Sequence, residues 1–111
     1  MIKVSVYYPN EEGKKFNMDY YSGKHIPLVE ERCGSFGLVR SEIEKGISDT
    51  DPNAPPRFVA IGVLYFETLD GVHQSFMTHG KEIMGDVPNY TDIQPDDQIE
   101  VFERIERARQ L

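Results

Sequence analysis

The chain has 111 residues and a formal net charge of -7, so its length leaves room for one hydrophobic core and residues 1–111 read as a single domain. That acidity argues against nucleic-acid binding, which needs a basic face to neutralise phosphates. No apolar stretch approaches the ~20 residues that span a bilayer, so a membrane is not an expected partner either.

Ile2, Val4, Val6 and Tyr8 alternate with Lys3, Ser5 and Tyr7, a period of two that predicts a first strand, ended by turn residues from Pro9 to Gly13. Asn17 is suited to cap the next element, a helix, with Asp19 favourable in its first turn. Met18, Tyr21, His25, Leu28, Val29 and Arg32 fall on one face of that helix, and Gly34 and Gly37 close it. Pro27 lies inside it. Its ring lacks an N–H and crowds the carbonyl of Gly23, four residues back, so a kink centred on His25 is expected.

A second strand is predicted from about Leu38 to Ile47, with Val39, Ile43 and Ile47 on one face and Arg40, Glu42 and Glu44 on the other. Such a polar face suits a sheet edge or a dimer rim. Residues 48–56 read as a loop by composition. Phe58 to Phe66 is an almost unbroken apolar run, the pattern of a strand buried on both faces. Thr68 is placed to cap a second helix whose inner face carries Leu69, Val72, Phe76 and Ile83. Asp86 to Asp92 reads as an irregular crossing segment, Ile99, Val101 and Ile105 mark a last strand, and residues 106–111 read as a frayed tail.

The element order β-α-β-β-α-β predicts an α+β, ferredoxin-like fold. Its four-stranded antiparallel sheet has the first and third strands central and both helices on one face. A third strand apolar on both faces leaves the other sheet face for a second copy of the chain to cover, so a homodimer is expected. Cys33 is the only cysteine. It reads as a small buried hydrophobe, and the lack of a disulfide favours a reducing compartment. No charged-then-apolar signal precedes the first strand, so a cytoplasmic location is expected.

His25 is the side chain of its helix that titrates near neutrality. In an apolar pocket its charged form is disfavoured, which leaves a neutral base ready to accept a proton, and Tyr21 one turn earlier can orient a substrate oxygen. Spacing alone also fits a structural histidine, the plainer reading. Ala60 and Gly62 leave a shallow place on one face of the third strand, suited to a small ligand or to close approach of a helix. His79 lies near the inner face of the second helix and His73 toward its opposite edge, and both read as structural or solvent-facing. Tyr90, between Asn89 and Thr91, reads as a tie on the crossing segment or as the lining of a pocket mouth. A His25–His79 pair with Asp86 or Asp92 has no H-x-x-x-H or cysteine-pair spacing behind it, so no metal is expected. No G-x-G-x-x-G comes after the first strand, which leaves a nicotinamide site unsupported.

The segments Phe16–Tyr21, His25–Val29 and Glu82–Ile93, with strand-like Ile2–Val6 and Tyr65–Phe66, resemble those of EthD-domain proteins over nearly the whole chain. The resemblance implies a dimeric α+β barrel of ferredoxin-like protomers. The family is named for a protein of a bacterial ether-degradation system, and many members are labelled reductases although no redox-cofactor motif accompanies that label. The family's recurring histidine corresponds to His25, His79 falls where close relatives often have histidine, and Asn17 stands where aspartate is frequent. The implied protein is an oxidoreductase of xenobiotic catabolism acting on a small apolar carbonyl, lactone or phenolic compound without a bound cofactor. His25 is its expected acid/base, with Tyr21, Ala60, Gly62, His79 and Tyr90 against the substrate. Two alternatives stand beside it: an isomerase or dehydratase of the muconolactone-isomerase type, and a non-catalytic protein that holds a hydrophobic ligand for an oxygenase system.

Overall fold

The computed structural model describes residues 1–95 and 99–109; the last two residues of the expected tail lie outside the described residues. Four strands, β1 (Ile2–Pro9), β2 (Leu38–Lys45), β3 (Phe58–Phe66) and β4 (Ile99–Glu103), form one sheet in the order β2-β3-β1-β4. Every pairing is antiparallel, with Val4 opposite Leu64 and Val101, and Ile43 opposite Gly62. The first helix covers residues 18–33 and the second runs Leu69–Gly85. The fold is therefore the expected α+β, ferredoxin-like one, with β1 and β3 central.

Local chemistry sets the helix ends. The Asn17 side-chain oxygen accepts from the Tyr20 N–H at 3.0 Å, and the Thr68 hydroxyl accepts from the Gly71 N–H at 3.0 Å. The chain leaves the first helix through a short 3₁₀ turn, Gly34–Phe36, into Gly37 at φ 93°, a left-handed conformation that favours glycine. Two apolar clusters meet between sheet and helices. One gathers Val4, Val29, Cys33, Leu64, Phe66, Val72 and Ile83; the other gathers Tyr8, Tyr21, Ile26, Ala60, Val87, Tyr90 and Ile93.

Three local expectations are corrected. The first helix is not simply kinked: residues Met18–Tyr20 and Ile26–Cys33 are α-helical, and Tyr21–His25 between them form a π-helical turn. The wider turn rotates the α-helical segment after it, so Ile26 faces inward and Leu28 is only half-buried. In β2 a bulge between Leu38 and Arg40 breaks the parity, leaving Leu38 and Ile43 packed on the core while Val39 is exposed and Ile47 lies beyond the strand end. Leu69, in the first turn of its helix, is exposed, as is Ile105 past the end of β4.

β3 is buried on both faces. On the side away from the helices, Val63 and Tyr65 are buried, and the guanidinium of Arg40 lies 4.1 Å from the centre of the Tyr65 ring. Among the described residues no helix is long and apolar enough to cross a membrane.

Candidate active site

The π-helical turn positions two side chains of the site. The Ile26 N–H reaches back to the Tyr21 carbonyl, five residues away, and Pro27 then enters the first turn of the next α-helical segment. There its missing N–H costs little. The proline is thus absorbed by one wide turn rather than by a broken helix, and turns of this kind recur at functional sites. Tyr21 and His25 both point inward and are buried, their rings stacked at 5.5 Å with an interplanar angle of 16°.

His25 is held by a residue from the far end of the second helix. Its Nδ1 lies 2.9 Å from Oδ2 of Asp86, 61 residues away. The other carboxylate oxygen, Oδ1, accepts from the Tyr20 hydroxyl at 2.8 Å and from the Asn89 amide at 2.8 Å. Burial alone would push the Asp86 pKa up, but hydrogen bonds from Asn89, His25 and Tyr20 outweigh it and hold the carboxyl below its usual range. Burial dominates at His25 as well: desolvation lowers its pKa below 6.5 against the opposing pull of Asp86. Near neutral pH the pair is therefore an ionised carboxylate and a neutral imidazole. Asp86 can only accept, so Nδ1 carries the proton and Nε2 presents a lone pair. Among the described residues, the hydrogen bond seen at His25 is made by Nδ1.

His25 forms part of the wall of a cavity between sheet and helices. Tyr8, Tyr21 and Gly62 share that wall, and the rest is apolar, including Val29, Leu64, Phe76 and Ile83. The enclosed void is small, about 30 Å³, so a small apolar molecule would enter it only as the lining side chains move aside. A wider, open surface groove is lined by Lys15, Phe16, Asn17 and residues 88–92. Tyr90 stands between the two: it lines the groove, while its ring lies 4.6 Å from that of His25 and its hydroxyl meets the Tyr8 hydroxyl at 2.7 Å.

The expected site residues are thus distributed unevenly. His25, Tyr21 and Gly62 come together at the cavity, and Tyr90 backs them. The shallow place left by Gly62 is occupied by the Tyr21 hydroxyl, which a Cβ on Gly62 would overlap. Ala60 is fully buried in the aromatic cluster, away from the cavity wall. His79 is elsewhere, its ring 5.9 Å from that of Phe36 and its Nδ1 4.0 Å from Glu82, which also takes the Arg32 guanidinium. Asp92 accepts from the Lys15 N–H and does not approach Asp86's partners. Sequence reasoning missed Tyr8 and Tyr20 as site residues and named Asp86 only as a distant metal-ligand possibility. The available signal was Asp86 at the end of a helix beside a Pro-Asn turn, in the longest segment of the resemblance.

Comparison with known proteins agrees with this fold. Residues 12–94 match the EthD domain family. An EthD-like protein from Ralstonia eutropha JMP134 is 37% identical, with a TM-score of 0.87 over 96% of this chain and 95% of that one. An EthD family protein from Bacillus halodurans C-125 is 16% identical, with a TM-score of 0.65 over 95% and 99%. A protein from an uncultured marine organism, described as a dimeric ferredoxin-like protein, shares the fold at 10% identity and a TM-score of 0.58 over 99% and 100%. A 25-residue stretch is also 84% identical to translation initiation factor IF-2 of Ruthia magnifica subsp. Calyptogena magnifica. That match spans 22% of this chain and 3% of the factor, and it carries no argument about activity. By the extent of the family match and by its likeness to the Ralstonia protein, the chain belongs to the EthD-domain family.

Proposed function

We propose that the protein is an enzyme that takes a proton from, and returns it to, a small apolar carbonyl, lactone or phenolic compound, with His25 as acid/base. The observation that carries this reading is the His25–Asp86 pair at the wall of a narrow apolar cavity. Neutral His25 accepts the substrate proton at Nε2. The imidazolium so formed is stabilised by ionised Asp86 at Nδ1, and the apolar surroundings make the return of the proton favourable. Cofactor-free oxidation would share this first step, because deprotonation gives an electron-rich anion that passes electrons to an external oxidant such as dioxygen. Isomerisation needs only that the proton return to a different carbon.

Exchange in D₂O tests this reading before any physiological substrate is known. Small cyclic ketones and lactones, followed by proton NMR, are expected to exchange hydrogens next to the carbonyl faster with the protein than without it. His25→Ala is expected to reduce the enzyme-dependent rate by about 10²- to 10⁴-fold. Undiminished exchange by that variant would remove His25 from the chemistry.

The active form we propose is a homodimer joined through the sheet face away from the helices. That face carries Ile61, Val63 and Tyr65 at its centre, with Tyr7 and Phe102 beside them and Arg40, Glu42 and Glu100 at the rim. The Ser5 hydroxyl in its midst is buried with no hydrogen-bond partner among the described residues. Val63 and Tyr65 are already buried within one chain, so a second copy would cover the half-buried Ile61 and Tyr7 and the exposed Phe102, with the charged rims against one another.

A further inference from the structure

Beside His25 the cavity wall includes two tyrosines whose hydroxyls proton abstraction alone does not use. The Tyr21 hydroxyl rests on the backbone of Gly62, and both residues line the cavity. Tyr8 lines it too, its ring edge-on to that of Tyr21 at 5.4 Å and its hydroxyl hydrogen-bonded to that of Tyr90 at 2.7 Å. Tyr90 does not reach the cavity, so its hydroxyl stands behind that of Tyr8. Hydroxyls in such a chain polarise one another and strengthen the donor at the open end.

We propose that Tyr21 and Tyr8, backed by Tyr90, hold the substrate oxygen that becomes negatively charged, and that the substrate is an enolisable ketone or lactone. The inference rests on the reading of His25 as base and narrows it. A phenol needs one polar contact, because the proton leaves the atom that keeps the charge. An enolisable carbonyl needs two, a base at the carbon and a donor at the oxygen, and the cavity wall offers both on different side chains. In the step itself the C–H bond breaks and the proton goes to Nε2 of His25. The electron pair forms a carbon–carbon double bond, and the carbonyl oxygen takes up the negative charge and accepts hydrogen bonds from the tyrosines. Return of the proton restores the ketone, or its isomer where a conjugated carbon is protonated instead, with no net oxidation.

Buried in apolar surroundings, all three phenols are held well above the ordinary tyrosine pKa, so they stay protonated and serve as donors. The remaining wall is apolar, which strengthens each donor toward a charged oxygen and excludes competing water.

Phenols are suitable probes because a bound phenolate mimics an enolate oxygen. Phenol, 4-chlorophenol, 4-cyanophenol and 4-nitrophenol are titrated into the wild-type protein, Tyr21→Phe, Tyr8→Phe and His25→Gln, with affinity read by calorimetry and ionisation of the bound probe by ultraviolet absorbance. The proposal expects affinity to rise as the phenol becomes more acidic. It expects Tyr21→Phe, which keeps the ring and its packing, to weaken 4-nitrophenol binding by about 10- to 100-fold and to flatten the trend. It expects His25→Gln to keep the tyrosine-dependent binding while losing ketone exchange in D₂O. Binding of the phenols with no sensitivity to Tyr21 or Tyr8 would overturn the oxygen site and leave the base reading intact. No binding by any of the four would overturn it as well. Tyrosine-dependent binding without ketone exchange in the wild type would support the oxygen site while removing the base.

Discussion

Tyr21 and Gly62 are matched to one another: the phenol hydroxyl of one occupies the space that a side chain on the other would fill. Gly62 pairs with Val6 on one side and Ile43 on the other, so the sheet cannot move aside at that point. Gly62→Ala is therefore expected to cost about 1–3 kcal/mol of stability by overpacking. Tyr21→Phe should cost less by itself and recover much of the loss in the double variant. Denaturant melts of the four proteins give the coupling, and additive effects would show that the contact does not constrain the site.

The His25 ring makes folding stability depend on pH in a predictable direction. Its folded-state pKa lies below the unfolded value of 6.5, so on acidification the unfolded chain takes up the proton first. The contribution is present in full above about pH 6.5 and is lost as pH falls from there toward the folded-state pKa. Asp86 acts in a lower window, where stability held above its ordinary value of 3.8 is lost as pH falls through its depressed folded-state pKa. Denaturation midpoints at pH 7.5 and 5.5 should differ for the wild type by a component that His25→Gln lacks. Catalysis should persist somewhat below pH 6.5, because the base stays neutral there.

Asp86→Asn separates orientation of the imidazole from its presence. The variant keeps an oxygen for the Tyr20 and Asn89 donors, which both meet Oδ1, but puts an amide NH₂ where Oδ2 faced Nδ1, removing the acceptor that fixes the Nδ1–H tautomer. Loss of the anion should drive the His25 pKa further down. Exchange activity should fall by up to about 10⁴-fold, the scale expected when the carboxylate behind a catalytic histidine becomes an amide. An unchanged His25 titration in this variant would show that Asp86 does not govern the ring.

The sheet face away from the helices supplies a separate test. Ile61 is half-buried there, in the centre of the proposed dimer surface and outside both core clusters. Ile61→Glu should give a folded monomer by sedimentation, with helical content unchanged by circular dichroism. A wild-type monomer at micromolar concentration would contradict the proposed assembly.

Much of this arrangement is legible in the sequence because it is local. Alternation sets β1, the apolar run sets β3, and helical spacing puts Tyr21 beside His25. The rest depends on distances that no local pattern records. The Asp86 partner of His25 lies 61 residues away, and the Tyr90 partner of Tyr8 lies 82 residues away, joined only once the crossing segment folds back. The π-helical turn escaped for a different reason. Pro27 announces that one hydrogen bond is missing, but not whether the chain kinks or widens to absorb the gap. The bulge at Val39 is similar: one extra residue reverses a parity that the sequence presents as unbroken.

The proposed role of His25 rests on a neutral imidazole whose Nδ1–H is given to Asp86. Nitrogen-15 NMR of the imidazole across a pH titration tests it directly. The expected result is the Nδ1–H tautomer at neutral pH with a His25 pKa below 6.5; an Nε2–H tautomer, or a pKa at or above 6.5, would remove His25 as a neutral base held by Asp86.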